Sequence, residues 1–238
     1  MIQISAKNLS KSYGEGDAAV HAVSDISLEV GRGEFISIMG ESGSGKSTLL
    51  SMLGALNSPS AGSYEVEELE VYKLGSDQRA DFRREFIGFV FQAFHLVPYL
   101  SVIENVMLPL VTTKKSMDQK RALAQAALER VGLGGKGHRL PSQISGGEAE
   151  RVAIARAIVN EPPILMADEP TGNLDSVTSK EIMSLLEELN SQGMTIIMVT
   201  HSLECAKNAN RIIKIADGRV VEDTSTWTTK SEVCDCAS

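Results

Sequence analysis

The sequence predicts an α/β fold in three parts: a core with a mostly parallel sheet, a small antiparallel β-subdomain, and an inserted α-helical subdomain. Three observations predict it. Continuous apolar runs at residues 35–39 (FISIM), 164–167 (ILMA) and 195–199 (TIIMV) suit strands buried on both faces of a parallel sheet. The early segments 2–8, 20–30 and 62–71 instead alternate apolar and polar residues between turn residues, the pattern of antiparallel strands. Helix signals fill residues 93–160, which separate the first apolar run from the second.

Composition sets the bounds. A chain of 238 residues, 42% hydrophobic and 23% charged, is long enough to bury about 70–75% of its unfolded surface. With 23 basic and 31 acidic side chains, its net charge of −8 disfavours a nucleic-acid partner. No apolar stretch reaches the roughly 18–20 residues that span a bilayer, and the N-terminus lacks a signal-peptide core. The expected location is therefore the cytoplasm, and three cysteines fit a reducing compartment. Cys205 reads as a plain helix residue. Cys234 and Cys236 fall in a polar tail, residues 223–238, that is expected to be disordered and is given no function.

The elements follow in order. After the strand at 35–39 comes GESGSGKST, a complete G-x-x-x-x-G-K-[ST] loop built on Gly40, Gly45, Lys46 and Ser47. Gly43 and Gly45 let the backbone turn so that N–H groups of the loop, Ser42, Ser44 and Thr48 included, converge on a phosphate. Lys46 brings a point charge to the β- and γ-phosphates, and the Ser47 hydroxyl is placed to ligate Mg²⁺. A helix over 47–57 adds its N-terminal dipole to the same anion. The core is thus a P-loop nucleotide-binding core. Ser116 with Gln119 three residues later is a capping box, opening a helix that buries Leu123, Ala127 and Val131 and stops at Gly132. Ile182, Leu185, Leu186 and Leu189 mark the buried face of a helix over 176–190.

Polar groups follow each buried strand, and in open α/β sheets ligands bind at the strands' carboxyl ends. Asp168 is placed to hold Mg²⁺. Glu169 is placed to orient and polarise the water that attacks the γ-phosphate. Taken alone, the pair fits an ordinary acidic strand end; the complete phosphate loop favours the catalytic reading. His201, the one histidine at a strand's carboxyl end, reaches toward the γ-phosphate and Glu169. Gln92, following the strand at 87–91, is a neutral side chain for Mg²⁺ or the attacking water. Tyr13 is a candidate platform for an adenine ring. Ser145, Gly146 and Gly147, in ISGGE, form a second glycine-rich helix start suited to an anion. That stretch fits equally a glycine turn that merely starts a helix, since one ATP has a single γ-phosphate.

Together these residues resemble the ATP-binding-cassette ATPases, over about residues 2–221. GESGSGKS resembles the family's Walker A motif and ILMADE its Walker B. Gln92 falls at the Q-loop, ISGGE at the signature, Asn173-Leu174-Asp175 at the D-loop and His201 at the switch histidine. EPTGNLD, with FVFQAFHLVPYLSVIENVMLPL, is similar to the macrolide-exporter and lipoprotein-releasing subgroup, which also holds a cell-division ATPase. Ile144 stands where leucine is usual, and Ala149-Glu150 where glutamines or similar polar residues are common. The resemblance implies an ATPase using ATP and Mg²⁺ within one nucleotide-binding domain, residues 1–222, with its helical lobe at 93–160. It also implies a head-to-tail homodimer in which Ser145–Gly147 of one subunit meet the nucleotide of the other, and counts Asp175 among the nucleotide-binding residues. The implied partner is a separate integral-membrane permease of an exporting or lipoprotein-extracting system, holding the chain at the cytoplasmic face of the inner membrane. A groove lined by Phe94, Leu96, Val97, Pro98, Tyr99 and Leu100 is the candidate receptor for that partner's helix. A membrane regulator that transports nothing is the alternative implied by the same subgroup. A soluble cassette acting on nucleic acid fits less well, with one cassette, no C-x-x-C and an acidic balance.

Overall fold

The computed structural model describes residues 1–14 and 19–225. Its elements run β1 (Ile2–Tyr13), β2 (Val20–Gly31), β3 (Phe35–Met39), α1 (Lys46–Leu53), β4 (Ala61–Val66) and β5 (Leu69–Glu70). There follow α2 (Ser76–Phe86), β6 (Ile87–Val90), α3 (Val102–Met107), α4 (Met117–Arg130) and α5 (Gly146–Ile158). The chain closes with β7 (Ile164–Asp168), α6 (Ser176–Ser191), β8 (Thr195–Thr200), α7 (Leu203–Ala206), β9 (Arg211–Ala216) and β10 (Arg219–Ser225).

Two sheets form. The first is antiparallel, in the order β2-β1-β4-β5. Ile26, Leu28 and Val30 alternate inward along β2 while their neighbours stay polar, the period a one-sided sheet requires. The second sheet runs β10-β9-β3-β8-β7-β6, with β10 antiparallel at one edge and the rest parallel. Three of its four inner strands, β3, β8 and β7, are the three continuous apolar runs, buried on both faces as their composition predicts.

Side chains alternating along these strands feed two cores. Leu165, Ala167, Ile196 and Met198 pack with the helical lobe and α6, against Leu128, Ile154 and Leu186. Ile164, Met166, Ile197 and Val199 pack with α1 and the antiparallel sheet, against Leu49, Leu53, Ile4 and Val66. The register then positions the chemistry. Met39 pairs with Thr200, Asp168 with Val199 and Val90 with Ala167. The residues just past β3, β8, β7 and β6 therefore leave the sheet side by side, at strand spacings of about 4.8 Å.

Some elements differ from the sequence reading. The helix after the phosphate loop ends at Leu53 rather than near residue 57, because Gly54 lies under the Phe89 ring and Ala55 turns left-handed at φ 55°. β1 extends to Tyr13. The 93–160 lobe is less helical than its composition suggests, since residues 111–116 and 131–140 connect helices and 93–101 form a loop. α2 buries only Phe82, so it has no apolar periodicity to betray it. β10 continues through Ser225, beyond the expected end of the domain at 222. The rest of the expected tail, with Cys234 and Cys236, lies outside the described residues. Cys205 is a buried residue of the short helix α7, its Sγ 3.3 Å from Thr171 Oγ1.

Candidate active site

The phosphate loop begins where β3 ends. Gly45 takes φ 98°, and a Cβ there would lie 2.0 Å from the Ala22 carbonyl oxygen. Both the conformation and the close approach require glycine. Lys46, 6% exposed at the first position of α1, donates from Nζ to the Glu41 carbonyl at 2.6 Å, so the ammonium closes over its own loop. A cavity of about 680 Å³ lies against Gly40, Ser42, Gly43 and Ser44, bounded also by His201 and Asp217.

The polar ends of four strands meet beside this loop. Ser47 Oγ donates to Asp168 Oδ1 at 3.0 Å. Glu169 Oε2 lies 3.0 Å from His201 Nδ1 and accepts from Gln92 Nε2 at 3.4 Å. Asn173 Nδ2 in turn donates to the Gln92 carbonyl at 3.0 Å. Glu169 itself sits at φ 47°, a left-handed conformation costing about 1–2 kcal/mol outside glycine. Its N–H donates to Val199 and its carbonyl accepts from Gly172, so the turn is fixed from both sides. Strain held this way marks functional sites. The sequence reading brought Lys46, Ser47, Gln92, Asp168, Glu169 and His201 to one place, and the structure groups them there.

Burial pushes the Asp168 carboxyl above its ordinary range, the Ser47 hydrogen bond opposes that, Glu169 raises it further and Lys46 pulls it down. A half-buried carboxylate bonded to a hydroxyl is an oxygen donor set that suits a small hard dication, and Gln92 adds a carboxamide nearby.

The second glycine-rich helix start stands apart. Ser145 caps α5: its Oγ accepts from Glu148 N at 3.2 Å, and Glu148 Oε2 accepts from Ser145 N at 3.0 Å, a closed capping box. Lys136, paired with Glu148, holds that carboxyl below its ordinary range, with the Ser145 N–H adding to the effect. Gly147 packs against Thr178 at the start of α6, where a Cβ would lie 2.3 Å from Cγ2. Ser145 and Gly146 are exposed, and no hydrogen bond among the described residues joins them to residues 40–48.

Two other candidates occupy structural posts. Asp175 caps α6, accepting from the N–H groups of Val177 and Thr178 and from Thr178 Oγ1, which lowers its pKa. Tyr13, 44% exposed at the end of β1, accepts from Asn57 Nδ2 at 2.6 Å and has Lys11 Nζ 5.2 Å from its ring centre. Sequence reasoning missed Lys136 and Asn57, whose contacts reach 12 and 44 residues along the chain and leave no local pattern.

Comparison with known proteins agrees with this geometry. The pattern of the ABC transporter family matches residues 23–172. The macrolide export ATP-binding/permease protein MacB of Sodalis glossinidius is 48% identical over 223 residues, covering 94% of this chain but 34% of the relative. The chain thus spans about a third of the length of the MacB relatives it matches. An ABC transporter ATP-binding protein of Methanocaldococcus jannaschii is 48% identical over 219 residues, covering 92% of this chain and 98% of the relative. Among solved structures, a dimeric post-hydrolysis state of the ATP-binding cassette MJ0796 bound to ADP and Pi superposes with a TM-score of 0.87 at 41% identity, covering 94% of this chain and 99% of that one. CbiO1 from Clostridium perfringens gives 0.85 at 30% identity, covering 94% and 89%.

Proposed function

Because this chain belongs to the ABC transporter family, we propose that it binds and hydrolyses ATP as the cassette of a membrane transport system. The observation that carries the reading is the triad on one carboxylate: Glu169 Oε2 between His201 Nδ1 at 3.0 Å and Gln92 Nε2 at 3.4 Å, next to the phosphate loop. Lys46 and the loop N–H groups hold the triphosphate of ATP. Glu169 orients and polarises the attacking water, while His201 and Gln92 fix the carboxylate that does so. Ser47 and Asp168, with Gln92, are the residues that would hold Mg²⁺. When bound, the ion would offset charge on the phosphates.

In this reading, the exposed Ser145 and Gly146 and the half-buried Gly147 serve the nucleotide of a second copy, in a head-to-tail dimer that ATP closes and hydrolysis opens. A ligand bridging both copies binds the closed state better, which is the differential affinity a switch needs. Support comes from the dimeric MJ0796 cassette and from the capped but unpartnered start of α5. Asp175, at the foot of α6, and Tyr13, as the adenine platform, complete the nucleotide contacts. MacB relatives are named as ATP-binding/permease proteins, and this supports a permease of exporter type as the driven component. Among the described residues, no helix is long and apolar enough to cross a membrane; in this reading the cassette sits against the cytoplasmic face of that component.

The test is Glu169→Gln. Turnover should fall by about 10²–10⁴-fold, the contribution of a positioned acid–base group, while ATP affinity stays within about threefold. ATP should then hold the variant as a dimer in size-exclusion chromatography. Unchanged turnover removes the proposed role of Glu169.

A further inference from the structure

The loop after β6 carries Gln92 and has no regular structure, yet side chains from two distant segments and from the adjoining helix α3 pin it. Asn173 donates to the Gln92 carbonyl. Buried Asn105, on α3, accepts from Val97 N at 2.7 Å and donates to the carbonyls of Val97, Leu100 and Ser101 at 3.0–3.1 Å. Between these points, Arg156 in the last turn of α5 donates from Nη2 to the Phe94 carbonyl at 2.5 Å and from Nη1 to the His95 carbonyl at 2.6 Å.

Phe94 and His95 are the two residues of this loop that need holding. Their φ angles are 58° and 49°, and two adjacent left-handed residues that are not glycine persist only when surroundings over-determine them. One guanidinium, whose planar fork can serve two acceptors at once, meets both carbonyls. Arg156 forms no ion pair among the described residues, and the nearby Glu150 makes no hydrogen bond to it. Its hydrogen bonds all go to this turn.

We propose that Arg156 is a positioning residue that locks the Gln92 loop to the helix capped by Ser145. α5 is 13 residues long, so its two ends are about 20 Å apart. Through Arg156 its far end fixes where Gln92 stands relative to Glu169, and its near end carries Ser145. Pro98 and Tyr99 are exposed on the same pinned loop, Tyr99 to 80%. A push on them is delivered to α5 and Gln92 together instead of being absorbed by a slack loop. The inference rests on the proposed role of Glu169 and adds a residue that the known motifs do not contain.

The experiment uses the full chain with Arg156→Met and Arg156→Lys, each with and without His95→Gly. Arg156→Met should lower kcat by about tenfold or more while KM for ATP stays within threefold, because the loop is displaced and the phosphate site is not. His95 is exposed, and glycine takes φ near +50° without strain. Adding His95→Gly should therefore return at least a third of the lost rate. Hydrogen exchange at the amides of residues 93–96 should quicken at least tenfold in Arg156→Lys, which keeps the stem and the charge but not the fork. That readout covers the case in which Arg156→Met fails to fold. It also does not depend on hydrolysis, so an active Glu169→Gln would sink the site assignment while leaving the clamp testable. Unchanged exchange, a kcat within twofold of the parent, or a lost rate that glycine does not restore would each overturn the proposal.

Discussion

Replacing Glu150 with glutamine should flatten the fall of stability with rising pH. Glu150 is fully buried in α5, and neither carboxylate oxygen has a hydrogen-bond partner among the described residues. Burial pushes its pKa from 4.5 up to about 8, against a smaller opposing pull from Arg156. Between those values the unfolded chain has already released the proton while the folded chain still holds it. The folded state then binds more protons, so stability drops as pH rises and levels off above the folded pKa. At about 1.4 kcal/mol per pH unit, the upper bound on the loss is about 5 kcal/mol, a large part of the roughly 5–15 kcal/mol that domains possess. The glutamine variant has no such proton. Its buried NH₂ adds a cost of about 1–3 kcal/mol, constant with pH, so the slope is the quantity to compare. Urea unfolding followed by circular dichroism at pH 5.5, 6.5, 7.5 and 8.5 measures it. Variant stability minus parent stability should rise by a few kcal/mol across that series. Parallel curves would refute the reasoning and mean that the Glu150 carboxylate is already ionised or solvated at neutral pH.

Three further outcomes are expected. Gly147→Ala places a methyl where Thr178 Cγ2 now sits, so α5 must shift; steady-state turnover should drop at least tenfold, and Thr178→Ser, which removes that methyl, should recover part of it. Specific ATPase activity of the unmodified chain should climb with protein concentration, because the proposed competent species is a dimer; a flat profile from a monomeric sample would remove the proposed role of Ser145 in the neighbouring site. Ser47→Ala leaves Asp168 Oδ1 without its hydroxyl donor and should raise the Mg²⁺ concentration for half-maximal activity by about tenfold, one charge-assisted hydrogen bond's worth, as read from a metal titration at saturating ATP.

What the chain discloses in advance follows from how local the signal is. β3, β7 and β8 are legible because strands buried on both faces carry few polar residues, so short apolar runs such as ILMA and IIMV mark them. The phosphate loop is legible because dihedrals, charge and hydroxyl are all demanded within nine positions. α6 announces itself by Ile182, Leu185, Leu186 and Leu189, all buried. α2 is not legible, since SDQRADFRREF buries one residue, and β9 hides because only Ile213 and Ile215 of its six residues are buried. Within the site, each residue type was readable and the links between residues were not. Asn173 meets Gln92 across 81 positions and Arg156 meets Phe94 across 62, separations at which sequence carries no periodicity. Asp175 shows the opposite confusion: an acidic residue that the sequence reads as part of a functional motif and that the structure uses as an ordinary helix cap.

The electrostatics of α5 bear on why its first turn can face an anion at all. A capping box consumes the Glu148 N–H and places a carboxylate beside the helix start, where a triphosphate would be repelled. Lys136 pairs with that carboxylate, so the local charge is balanced without protonating it. The N–H groups of Gly146 and Gly147 remain without acceptors among the hydrogen bonds of the described residues, and helix starts leave such donors for a ligand or water. Glycine at both positions lets a phosphate approach the backbone closely, while the contact of Gly147 with Thr178 seats the turn against α6, whose cap is Asp175. The phosphate loop, by contrast, has Lys46 turned onto its own Glu41 carbonyl. The chain thus carries one cationic cradle and, apart from it, one neutral row of donors. In the proposed dimer a single nucleotide engages both by lying between two copies.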